Sequence, residues 1–154
     1  MNMSTKIRAA TEVVVEQSLI GLCAGTIVLT LDGEIPVEHL SIGDQVISRS
    51  SGTAILRDIV ITQAMMTPIR IKAGSLGHTR PDRDMLVSPD AQLHIRDWRA
   101  EALFGTPSAM IPARRLIDGE FVAEETTRVV TLFNLVFDRA QVIYADGMEI
   151  GAGL

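Results

Sequence analysis

The 154 residues, 47% hydrophobic and 21% charged, suffice for one globular domain that buries about two-thirds of the surface its unfolded chain would expose. A net charge of −5, with basic residues scattered apart from Arg114-Arg115 and the Arg80, Arg83 pair, argues against a nucleic-acid or anionic-membrane surface, which attracts basic patches. The single cysteine excludes an internal disulfide framework.

Residues 1–10, "MNMSTKIRAA", are short and polar and read as a loose leader, with residues 11–154 forming a single domain. The stretch "TEVVVEQSLIGLCAG" is broken by Glu12, Glu16 and Gln17, and Leu22 stands before Cys23 where lipid attachment wants a small residue. No secretory signal is expected there, and no run of 18 apolar residues is available to span a bilayer. The reading is a soluble chain, cytoplasmic by default.

Beyond the leader come short stretches of period-two alternation separated by turn signals. Ile27 to Leu31 is the first strand, closed by the hairpin dipeptide Asp32-Gly33. "EIPVEHL" follows, and "IGD" turns the chain into "QVISR", with the Asp44 side chain expected to cap that turn. "TAILRDIVITQAMM" reads as one long strand whose apolar face switches partway, the mark of a bulge or bend. "PIRIKAG" and "DMLVSP" are strands around the polar loop "SLGHTRPDRD", and "AQLHIRD" is another. Only "WRAEALFG" and "IPARRLIDG" read as short helical turns, each ending at glycine. "RVVTLFNLVFDRAQVIYADGMEIG" is mostly strand, with a reverse turn at Asp146-Gly147. The sum is an all-β domain of roughly ten to thirteen strands in a closed or folded-over sheet.

The block "CAGTIVLTLDGEIPVEHLSIGDQVISR" resembles the N-terminal block of Hint domains, the self-processing modules of inteins and hedgehog proteins, and most nearly their bacterial group. Cys23, Gly25, Thr26, Gly33, Pro36, Leu40, Gly43, Asp44 and Val46 carry the likeness, nine positions in order over 24 residues. "PIRIKAGSLGHTRPDRDMLVSPDAQLHI" is similar to the family's middle segment, and "FNLVFDRAQVIYADGMEI" to its closing strand pair. The resemblance spans about residues 20 to 150. It implies a horseshoe-like all-β fold with pseudo-twofold symmetry.

In reactive Hint domains, the resemblance implies, the cysteine attacks the carbonyl before it and makes a thioester, here at Leu22–Cys23. A histidine in a Ser/Thr-x-x-His turn acts on the scissile amide, and a second lies near the closing strands. Here Ser88, Pro89 and Asp90 fit that turn, but Ala91 holds the histidine position. Ala140 stands where the second is expected, Asn134 aligns loosely with the family's Asp, and "MEIGAGL" has no His-Asn pair. A positioned acid or base contributes about 10²- to 10⁴-fold, so one missing imidazole raises the barrier by about 3 to 5 kcal/mol.

The remaining residues offer weak substitutes. His94, three positions past Ala91, points the other way on an alternating strand, and His39 and His78 read as satisfied or solvent-facing. Asp90 or Asp138 is at best a weak base, because a carboxylate ionised near pH 4 is a poor acid at neutral pH. The candidate catalytic set is therefore Cys23 as nucleophile, with Thr26, Ser88 and Asp138 as lesser members. Thr26 fits a turn or strand role, and Cys23 fits a buried small hydrophobe. One Cys and three dispersed His give no zinc-like ligand pair, no P-loop or dinucleotide-binding turn is present, and no cofactor is expected. The function expected is a degenerate Hint domain serving as a β-scaffold for an unknown protein partner or for self-association. The alternative is autoproteolysis at Leu22–Cys23. Restoring Ala91→His and Ala140→His is expected to bring cleavage closer.

Overall fold

The computed structural model describes residues 19–153, so the leader expected over residues 1–10 lies outside the described residues. Among these described residues, fourteen strands build three sheets. The largest contains β2 (Ile27–Thr30), β3 (Gly33–Pro36), β4 (Gln45–Ser48), β5 (Gly52–Ile55), β9 (Gln92–Ile95), β10 (Ala109–Pro112), β13 (Gln141–Ala145) and β14 (Met148–Ala152). Its order is β10-β9-β14-β13-β2-β4-β5, with β3 paired to β2. A second sheet, β1-β12-β6, joins β1 (Leu22–Cys23), β12 (Arg128–Val136) and β6 (Asp58–Met66). The third, β11-β7-β8, joins β11 (Val122–Glu124), β7 (Ile69–Ile71) and β8 (Met85–Val87). The all-β expectation holds, with one strand more than the upper count.

Alternation explains how these pieces close on one another. β2, β9 and β13 bury every second residue, which puts Val28, Leu93, Ile95 and Ile143 into one interior with Leu56, Ile69, Ile71, Ile111 and Ile150. β14 breaks the rule, burying Met148, Glu149 and Ile150 in succession. A strand covered on both faces reads as a run rather than an alternation, and here the run includes a carboxylate.

The stretch read as one long strand is two, in different sheets. β5 ends at Ile55 and β6 begins at Asp58. The corner is pinned where the Leu56 amide donates to Asp44 O at 2.9 Å and the Arg57 amide to Val136 O at 2.8 Å. Leu56 is fully buried there, so the face switch seen in the sequence marks a change of sheet.

Of the two expected helical turns, Trp98–Phe104 is an α-helix, α1. Asp97 caps its start, Oδ1 accepting from the Arg99 amide at 3.0 Å, and Gly105 at φ +70° ends it. The other shrinks to a 3-10 turn, Ala113–Leu116. At the Asp146-Gly147 turn, Gly147 has φ +76° and a Cβ there would lie 2.2 Å from Asp82 Cγ, so another residue would need both a strained backbone and a displaced Asp82 side chain. No helix among the described residues is long and apolar enough to cross a membrane.

Candidate functional site

The site is organised by the two residues of β1. Leu22 pairs with Phe133 and Cys23 with Leu132, and successive side chains on a strand leave by opposite faces. Leu22 and Phe133 therefore join the main core. Cys23 enters a separate apolar cluster with Met66, Val130 and Leu132, flanked by Leu19 and Leu86. The thiol is 1% exposed. Burial pushes it up from 9.0 to about 12, with Arg128 opposing. A nucleophilic cysteine needs the reverse, a depressed pKa and partial access.

The Ser88–Ala91 turn closes on itself, the Ala91 amide donating to Ser88 O at 3.1 Å. Its polar groups hold the backbone of Leu19. Ser88 Oγ donates to Leu19 O at 2.6 Å, and the Leu19 amide donates to Asp90 Oδ2 at 3.1 Å. Arg114 engages the other Asp90 oxygen. Ser88 is completely buried, so its hydroxyl is committed to this one carbonyl. The turn thus faces a point three residues ahead of the bond it was expected to act on.

Beside it lies a cleft of about 30 Å³, room for one water. Ile20, Gly21 and Leu22 form one wall, Asp90, Ala91 and Gln92 a second, and Phe133, Asn134 and Leu135 a third, with Ile150–Gly153 closing it. The expected histidine position and the expected Asp position, Ala91 and Asn134, do meet here. Cys23 is not among the lining residues, and neither is any histidine. At the mouth, Gly21 has φ +121°, and a Cβ there would sit 3.1 Å from the Phe133 carbonyl. Gly21 therefore admits no side chain without a backbone shift.

The other sequence candidates disperse. Ala140 is exposed and lines an open depression of about 400 Å³ with Ser50, Gln92, Met110 and Gln141, meeting the cleft only at Gln92 and Gly151. Thr26 is buried in the turn after β1, its amide donating to Cys23 O at 3.1 Å and its carbonyl accepting from the Val37 amide at 2.8 Å. Asp138 is largely exposed and bound by Arg57, Nε to Oδ1 and Nη2 to Oδ2 at 3.0 Å each. That pairing lowers its pKa, the wrong direction for a neutral-pH acid. Asp44 accepts from the Ser41 amide at 2.8 Å, inside the turn it was read to cap.

His39 and His78 are exposed. His94 is engaged elsewhere: its Nδ1 lies 2.6 Å from Glu149 Oε1. Glu149 is 2% exposed and also pairs with Arg49 at 3.3 Å and Arg96 at 3.6 Å. Burial alone would raise its pKa, but His94, Arg96 and Arg49 bring it below the usual carboxylate range. This cluster escaped the sequence reading because its members come from the residue after β4 (Arg49), from β9 and the residue after it (His94, Arg96), and from β14 (Glu149). The only local signal is a glutamate inside an otherwise apolar strand, in "YADGMEIG".

A sequence model of the Hint domain matches residues 20–151. The chain belongs to the Hint-domain family. Solved structures agree on the fold. A bacterial intein-like domain from Clostridium thermocellum shares 15% identity, with a TM-score of 0.57 over 88% of this chain and 99% of that one. The TvoVMA intein gives 14% identity and a TM-score of 0.61, covering 85% and 96%. A DnaB intein from Synechocystis sp. PCC 6803 gives 9% and 0.56, covering 87% and 99%. No curated protein matches the chain. At these identities the structural likeness speaks for the fold alone. What this Hint domain does chemically has to come from its own residues, and its cleft carries neither a thiol nor an imidazole.

Proposed function

We propose that this Hint domain does not cut itself at Leu22–Cys23 at a useful rate and works as a β-scaffold or interaction module. One observation carries the reading: the thiol and the Ser88–Ala91 turn serve different places. Cys23 is sealed among Met66, Val130 and Leu132 with its pKa pushed up to about 12, while the turn grips Leu19. An N-to-S acyl shift needs a thiolate against the scissile carbonyl and a proton for the departing nitrogen. Neither requirement is supported at Leu22–Cys23.

Intact-mass spectrometry of freshly purified protein tests this. The full mass is expected, unchanged by thiol or hydroxylamine. Loss of residues 1–22, accelerated by either reagent and abolished by Cys23→Ala, overturns the reading in favour of autoproteolysis.

A further inference from the structure

Among the described residues, the second sheet ends in an open edge. β6 is nine residues long and is the outer strand of β1-β12-β6. The other edge strands among the described residues, β1, β3, β5, β8, β10 and β11, have four residues or fewer. Short edges are one way proteins avoid sheet-to-sheet pairing, and β6 does not use it.

Two hydrogen bonds show which groups face outward. The Ala24 amide donates to Thr131 O at 3.1 Å, so the odd-numbered residues of β12 bond toward β1 and the even-numbered ones toward β6. The register pairs even with even, Asn134 with Val60 and Leu132 with Thr62. Ile59, Ile61, Gln63 and Met65 therefore turn their amides and carbonyls away from β12. Ile59 agrees, its amide donating to Asp58 Oδ1 at 2.8 Å rather than to the ladder.

The side chains do not protect this edge. "DIVITQAMM" contains one charge, no lysine and no proline, and its pairing with β12 runs through nine consecutive partners without a bulge. Ile61 and Met65 are 59% and 61% exposed, and Val129, opposite Met65, is 56% exposed. Charge, proline and bulges are the usual deterrents, and all but the terminal Asp58 are missing.

We infer that β6 pairs with β6 of a second copy of this chain, antiparallel about a twofold axis at Thr62, making a continuous six-stranded sheet. Centring on Thr62 aligns the strand along its whole length. Ile61 then faces Gln63 of the second copy and Ile59 faces Met65, their outward groups bonding in pairs. Asp58 faces Met66, so no like charges meet across the seam, a self-complementarity a twofold interface requires. This deepens the interaction-module reading, on which it rests, by naming the partner.

Sedimentation velocity of the full chain across the micromolar range tests the inference. A species of twice the 16.7 kDa chain mass is expected. Ile61→Lys and Met65→Lys, both at exposed positions, are each expected to weaken dimerisation about tenfold or more while circular dichroism and Tm hold. With Cys23→Ala as background, Thr62→Cys is expected to give a disulfide-linked dimer on mild oxidation, because Thr62 meets itself as a non-hydrogen-bonded pair. A monomer at all concentrations overturns the inference. So does a dimer untouched by both lysines, or a Thr62→Cys chain that stays uncrosslinked. Intact mass measured on the same samples separates this failure from failure of the non-cleaving reading.

Discussion

Among the buried ionisable side chains of the described residues, Cys23 and Glu149 are treated oppositely by their surroundings. Cys23 has apolar neighbours, so burial works unopposed except by Arg128 and keeps the thiol neutral. Glu149 is equally sealed, but His94, Arg49 and Arg96 converge on it and hold it charged. The one histidine that is not exposed is thereby spent on a structural carboxylate. In this Hint domain the ionic machinery sits around β14, while the thiol sits in a dry pocket without a proton partner.

The largest effect is expected in thiol reactivity. At about pH 8 a thiol with a pKa of about 12 holds ~10⁻⁴ thiolate against ~10⁻¹ for an ordinary cysteine. Alkylation of native Cys23 should therefore run about a thousandfold slower than in the denatured chain. Rates within tenfold of each other would break the contrast with Glu149.

Next comes stability. Glu149→Ala leaves the cations around it without their buried partner and is expected to cost about 3 kcal/mol, roughly 10 °C in Tm by calorimetry. Cys23→Ala, which removes only a small apolar volume, is expected to cost about 1 kcal/mol.

The pH dependence sharpens the same contrast. The folded pKa of Glu149 lies below its unfolded value near 4.5, so the unfolded chain binds the proton first as acid is added. Its contribution is complete above that value and disappears as pH falls through the folded pKa. Cys23 runs the other way: its folded pKa is raised, so the unfolded chain releases the proton first and stability falls between about 9 and 12. Denaturant melts of Glu149→Gln and Cys23→Ala should lose the acid slope and the alkaline slope respectively.

The smallest expected effect is the most informative about the site. Restoring Ala91→His and Ala140→His was expected from sequence to bring cleavage closer. With the thiol on the far face of β1 from the cleft, the intact mass of the double variant should not change. Cleavage at Leu22–Cys23 in that variant would show that strand β1 turns over to present its sulfur.

Much of the fold was legible because β-structure writes itself locally. Alternation marked β2, β9 and β13, and Gly105 marked the end of α1. The division of residues 53–66 between two sheets was visible only as a switch of face, since no residue there states which neighbour the chain will join. The site was less legible. Ala91 and Asn134 do meet in one cleft, but the Cys23 position depends on which face of a two-residue strand points inward, and two residues carry no periodicity to read.

The order of residues alone determined most of the elements and their turns, because these depend on neighbours within a few positions, and it showed the absence of imidazole at Ala91 and Ala140 directly. Tertiary structure alone decided that the Cys23 sulfur is dry, that the Ser88 hydroxyl is tied to Leu19, and that His94 belongs to Glu149. Each of those depends on the local dielectric and on partners brought together from distant strands, and neither quantity exists until the sheets have packed.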